Sequence, residues 1–175
     1  MVPSLEFFEI GDVLLFDRGA PFGISTIIKF KTWSDVSHVG VIIYKPVTTT
    51  NEVLLSSEIS GVHLFPLGTL EGLKYVYRLK KPLTVVEKLE GRKWVETVLG
   101  QGYDYLGLLA FFWAKFRGKD NNKQFCSELV GRLFKEIKRS WLHKWIDADY
   151  YVPADFKKSP LSKCVWSFDG RIEDA

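Results

Sequence analysis

Ser37-His38-Val39-Gly40-Val41-Ile42-Ile43-Tyr44 and, a short gap later, Glu52-Val53-Leu54-Leu55-Ser56-Ser57-Glu58-Ile59 decide how this chain folds. The first run is rich in β-branched residues and both read as strands, with side chains alternating between two faces. A hairpin closed symmetrically about Thr48, in the loop from Pro46 to Thr50, sets His38 opposite Glu58, because each stands ten residues from that centre. Gly40, Ile42 and Tyr44 share the face of His38, and Leu54 and Ser56 share the face of Glu58. Directly opposed residues have Cβ atoms about 4.5–5.5 Å apart, and a slip of one residue would send them to opposite faces. In this register the Glu58 carboxylate accepts from one imidazole nitrogen and leaves the other for a second partner. Gly40 leaves space beside the ring. The alternative is a structural histidine and a solvent-facing glutamate.

Other strands flank this hairpin. Gly11-Asp12 reads as a turn into a short buried strand, Val13-Leu14-Leu15-Phe16. Gly61 turns the chain, with Val62 to Phe65 extending the pairing, and Lys74 to Leu79 is a further strand ending before Pro82. Ile24, Ile27 and Ile28 place a short helix within Pro21 to Lys31. After Pro82 the period changes. Thr84 to Leu99 reads as a helix begun by a threonine cap and ended by Gly100 and Gly102. Leu106 to Phe116 reads as a buried helix. Phe125 to Lys138 is a third helix, Val152-Pro153-Ala154-Asp155-Phe156 a helix entry with proline in its first turn, and Cys164 to Phe168 a closing strand. Strands first and helices later predict an α+β fold, with helices packed on an antiparallel sheet or small barrel.

In the third helix Cys126, Leu129, Val130, Leu133 and Phe134 fall on one stripe, with Ile137 a turn further, and Asn121, Asn122 and Lys123 stand ahead of it as capping residues. Cys126 thus occupies the first turn, on the inward face. Helix N-termini carry N–H groups without intrahelical partners and a positive potential, which favour thiolate over thiol and can hold an oxyanion. Most free cysteines are small buried hydrophobes, and that reading stays open here.

The 175 residues fit one domain, residues 1–175, with 46% apolar side chains to build a core. A net charge of +3, with its densest basic cluster at Lys135, Lys138 and Arg139, gives no footprint for nucleic acid. Two cysteines, Cys126 and Cys164, are too few for a disulfide scaffold and too far apart for a CxxC site, although one bridge between them stays open. His38, His63 and His143 lack metal-ligand spacing, so neither a metal site nor a cofactor is expected. The N-terminus does not read as a secretory signal, and Leu106 to Phe116 is too short to span a bilayer. The expectation is a soluble protein, cytoplasmic or released without a signal peptide, with no integral membrane segment. Phe111-Phe112-Trp113 leaves a peripheral lipid contact open; the sequence sets no oligomeric state.

Gly11-Asp12-Val13-Leu14-Leu15, Ser37-His38-Val39-Gly40, Glu58 with Gly61-Val62, Tyr103-Asp104-Tyr105 and Phe125-Cys126-Ser127-Glu128-Leu129-Val130 together resemble the YiiX-like branch of the NlpC-type superfamily. Each motif is short; the five stand in the branch's order, from Gly11 to the Val152–Asp155 segment. The resemblance implies a circularly permuted papain-like fold, in which the histidine strand precedes the cysteine helix. It implies a triad with Cys126 as nucleophile, His38 as base and Glu58 as the orienting acid. It also implies that Asp12, Ser37, Tyr103 and Tyr105 lie beside the cleft; by themselves, Asp12 reads as a turn residue and the tyrosines as packing rings. The implied reaction is thiol-dependent hydrolysis of an amide in a small peptide-like substrate, such as a cell-wall peptide. The rivals are a lipid or other acyltransferase or thioesterase on the same triad, whose families carry Cys-Glu-His where this chain has Cys126-Ser127-Glu128, and a catalytically silent binding module.

Overall fold

A computed structural model describes residues 3–17, 33–44, 52–58, 60–66, 70–102, 125–142 and 151–170. The strands are β1 (Val13–Phe16), β2 (His38–Ile42), β3 (Glu52–Glu58), β4 (Gly61–Pro66), β5 (Leu73–Leu79) and β6 (Ser162–Ser167). The helices are α1 (Val85–Val98) and α2 (Cys126–Glu136), with 3₁₀ turns at Leu5–Phe7 and Pro153–Lys158. The expected helices within 21–31 and 106–116 lie outside the described residues.

All six strands join one antiparallel sheet in the order β4-β3-β2-β1-β5-β6. The sheet is open, with β4 and β6 at its edges, which settles the choice between sheet and barrel. Alternation along a strand determines which side chains share a face but not whether the outer strands meet.

The pleat divides the core in two. Val13, Leu15, Val39, Val41, Leu55 and Val62 pack with Leu129, Val130, Leu133 and Phe134 of α2 on one face. Leu14, Phe16, Ile42, Leu54 and Val76 pack with Phe8 on the other. The α2 stripe read from the sequence is buried throughout. Trp141, fully buried, packs at a tilt against Phe134 and donates Nε1–H to the Phe156 carbonyl at 3.2 Å, fixing the chain after α2 to the 153–158 turn.

Helix ends carry local signatures. Thr84 caps α1 in a reciprocal box with Glu87: the Thr84 N–H donates to Glu87 Oε2 at 2.7 Å, and the Glu87 N–H donates to Thr84 Oγ1 at 3.3 Å. Gly91, Val95 and Val98 form the buried face of α1, while Val85 and Leu89 are exposed. At the end of α2, Lys138 N–H reaches the Lys135 carbonyl and Arg139 N–H the Phe134 carbonyl, with Lys138 at φ +58°. This is a Schellman closure with lysine at the position glycine usually fills. Gly61 needs its φ of +108° for the β3–β4 turn, and a Cβ there would stand 2.4 Å from the Gln101 carbonyl oxygen.

Candidate functional site

The pairs Val41↔Leu55 and Ile42↔Leu54 set the β2–β3 register, and it is the one a hairpin symmetric about Thr48 requires. The Glu58 side chain, Tyr103 and Tyr105 lie outside what the structure describes.

His38 opens β2 half-buried, its ring centroid 6.0 Å from that of Phe16. Its Nε2 lies 2.7 Å from the hydroxyl of Ser56, and that hydroxyl donates to the Val39 carbonyl at 3.2 Å. Ser56 is fully buried. The sequence placed it on the correct face without assigning it a role, since a serine in a strand gives no signal that distinguishes a ring contact from packing. The space expected beside Gly40 is taken: a Cβ there would stand 2.7 Å from Leu54 Cδ1. Ser37, also buried, donates its N–H to the Phe16 carbonyl and so aligns the start of β2 with the end of β1. Three residues before His38, Asp35 accepts from the Tyr75 hydroxyl at 2.6 Å and from Lys157 Nζ at 3.0 Å. Burial opposes its ionisation, but these hydrogen bonds outweigh that and hold its carboxyl below the ordinary value.

Cys126 is the first residue of α2 and is 5% exposed. Phe125 is the N-cap and offers no side-chain hydrogen bond, whereas the asparagines expected to cap lie outside the described residues. An apolar N-cap is among the least stabilising choices and leaves the first-turn N–H groups to other acceptors. One residue on, the Ser127 hydroxyl donates to the Tyr151 carbonyl at 2.5 Å, and Glu128 pairs with Arg132 a turn further along. Cys164, equally buried in β6, donates its thiol to the Trp166 carbonyl at 3.3 Å. Both cysteines are free thiols, so the bridge left open by the sequence is not formed.

The pleat sends the two groups to different faces. His38 stands beside Phe16, on the side of Ile42 and Leu54, and Cys126 packs with Val39, Val41 and Leu55 under α2.

Asp12 is buried and held by Arg78, whose Nε and Nη2 donate to its two carboxylate oxygens at 2.8 Å each. The Glu9 N–H donates to it as well, at 2.9 Å, and Arg78 also reaches Glu9 and the Phe7 carbonyl. Burial pushes the Asp12 carboxyl above its ordinary value against the pull of Arg78, and the same contact raises Arg78. The clamp ties the N-terminal segment to β5. Sequence reasoning missed it because the partners are 66 residues apart. Within the basic cluster near the end of α2, Arg139 is likewise engaged: its Nε donates to Glu87 at 2.5 Å.

Among the described residues no group of three or more His, Cys, Asp or Glu stands together as a metal site, and no helix is long and apolar enough to cross a membrane. No family model matches the chain, and no curated protein does. Among solved structures, the crystal structure of metalloprotein yiiX from Escherichia coli O157:H7 (DUF1105) is similar over 93% of this chain and 90% of that one, with a TM-score of 0.58 and 20% identity. At this identity the likeness is one of overall fold.

Proposed function

We propose that this protein is a thiol-dependent hydrolase acting by acyl transfer on an amide of a small peptide-like substrate, within a circularly permuted papain-like arrangement. The observation that carries the reading is the place of Cys126: first residue of a buried helix whose N-cap offers no side-chain acceptor, docked on the strand that His38 opens. Cys164 provides the contrast, as buried but within a strand. Burial alone makes a thiol inert; a helix N-terminus and an imidazole oppose that effect.

In this reading His38 takes the proton of Cys126, and the thiolate attacks the substrate carbonyl. The Cys126 N–H and a neighbouring donor hold the resulting oxyanion. The protonated His38 then gives its proton to the leaving amine, and water cleaves the thioester to release the acid and the free thiol. Glu58 is proposed as the acid that orients His38, and Tyr103 and Tyr105 as cleft neighbours. The yiiX protein is described as a metalloprotein; the donor sets among the described residues offer no such centre, and no step here passes through one. The test is turnover of murein peptides and of acyl esters by wild type and Cys126→Ala. Amide cleavage lost in Cys126→Ala is expected; cleavage that survives it would overturn the proposal, and cleavage of esters alone would replace the substrate class.

A further inference from the structure

Of the seven large apolar side chains exposed among the described residues, three stand together at the start of α1: Val85 is 73%, Val86 62% and Leu89 51% exposed. Residues three and four apart are neighbours on a helix surface, so Leu89 lies next to both valines. The core contact of α1 is made elsewhere, by Gly91, Val95 and Val98, and the trio has no part in it. Leu161, 48% exposed and joined to the same end of the sheet by the Lys80 N–H, is a fourth. Adjoining apolar side chains left in water mark an interaction surface more than a fold requirement. Lysines surround them. Lys81 precedes the helix, and Lys88 and Lys93 follow Val85 and Leu89 by one turn. Lys138 follows α2 beside Arg139, which its bonds to Glu87 and the Pro82 carbonyl hold against the start of α1. None of these four lysines forms an ion pair among the described residues. Of the described carboxylates at this end, Glu9 and Asp12 are paired with Arg78 and Glu87 with Arg139, which leaves Glu90 and Glu136.

We infer that the start of α1 is a docking surface for an anionic lipid bilayer, with Val85, Val86 and Leu89 entering the headgroup boundary and the lysines level with the lipid phosphates. The chemistry of the patch selects lipid over protein. Protein interfaces are enriched in aromatic residues, methionine and arginine and depleted in lysine. Here the apolar part is wholly aliphatic and the charged part is lysine. A lysine can lay its stem along apolar surface while its ammonium stays among headgroups. A few aliphatic side chains bind a bilayer weakly by themselves, so the attraction of the lysines to anionic lipid has to be added to theirs. Cys126 and Lys138 stand at opposite ends of α2, whose 11 residues span about 16 Å at the helical rise. The bilayer therefore meets the end of α2 away from Cys126, and the docking does not depend on reading Cys126 as a nucleophile.

Co-sedimentation of the full chain with vesicles tests it, comparing phosphatidylcholine alone with phosphatidylcholine carrying about 30 mol% phosphatidylserine. Wild type is expected to partition about tenfold or more in favour of the anionic vesicles, and to be released by high salt. Lys81→Gln and Lys138→Gln are each expected to lower that partition about fivefold, the worth of one lysine at an anionic surface. Leu89→Ser keeps every charge and is expected to lower it several-fold through lost apolar insertion. Lys74→Gln, at the opposite end of β5, makes the same change in net charge and is expected to leave the partition nearly unchanged. All four substituted side chains lie outside the buried core, so the variants keep it. Equal partition of wild type onto both vesicle types, an equal loss in Lys74→Gln, or a Leu89→Ser variant that binds like wild type overturns the inference. So does a wild type that ignores both vesicles and self-associates through Leu89 in sedimentation equilibrium, which would make this face a contact between copies of the chain.

Discussion

Arg139→Met removes the guanidinium that joins the end of α2 to the start of α1 while keeping much of its apolar stem. In wild type Arg139 Nε donates to Glu87 Oε1 at 2.5 Å, and Glu87 also accepts from the Thr84 N–H and hydroxyl. The Arg139 hydrogen bond, and then those from Thr84, hold the Glu87 carboxyl down at about 2 from an ordinary 4.5. A folded pKa below the unfolded one stabilises the protein above the unfolded value, and that stability is lost as pH falls through the folded value. A shift of this size corresponds to about 3 kcal/mol at full weight. The Glu87 and Arg139 side chains are 18% and 27% exposed, so solvent screening brings the pair's share to about 1–2 kcal/mol. Urea unfolding at pH 7 should therefore show Arg139→Met less stable by about 1–2 kcal/mol. The gap should narrow as pH falls from about 5 through about 2, because wild type loses its Glu87 contribution over that range. Glu87→Gln should flatten the same part of the curve, and the double variant should fall short of the sum of the singles. An equal deficit at pH 7 and pH 3, or additive singles, would refute the reasoning.

Two further outcomes follow from single contacts. Lys138→Gly should stabilise the protein by about 1 kcal/mol in thermal unfolding, because it relieves a left-handed residue in an intact Schellman closure. Asp12→Asn should cost about 2 kcal/mol in urea unfolding, since Arg78 loses its buried counter-charge, and should leave the reactivity of Cys126 unchanged.

The parts of this fold legible in the sequence were those set by local chemistry. The β2–β3 register follows from strand alternation and a symmetric turn, and the Thr84–Glu87 box is written within four residues. The buried stripe of α2 follows from helical period. What could not be read depends on elements distant in the chain. Arg78 meets Asp12 only because β5 lies beside β1. Gly40 looked like open space because the lean of Leu54 is a packing outcome. Parity along β2 put His38 and Val39 on opposite faces, but which face α2 covers is decided by the whole core. Ser56 was visible as a face-mate of Glu58, and only the side-chain geometry shows its hydroxyl at the His38 ring.

The most direct test of the proposed chemistry is the pH dependence of Cys126 alkylation by iodoacetamide, followed by peptide mapping against Cys164. The account predicts that Cys126 titrates as a thiolate well below the ordinary value of about 8.5, reacts faster than Cys164, and returns toward that value in His38→Gln. A Cys126 that reacts only above about pH 8, at a rate indifferent to His38, would contradict it.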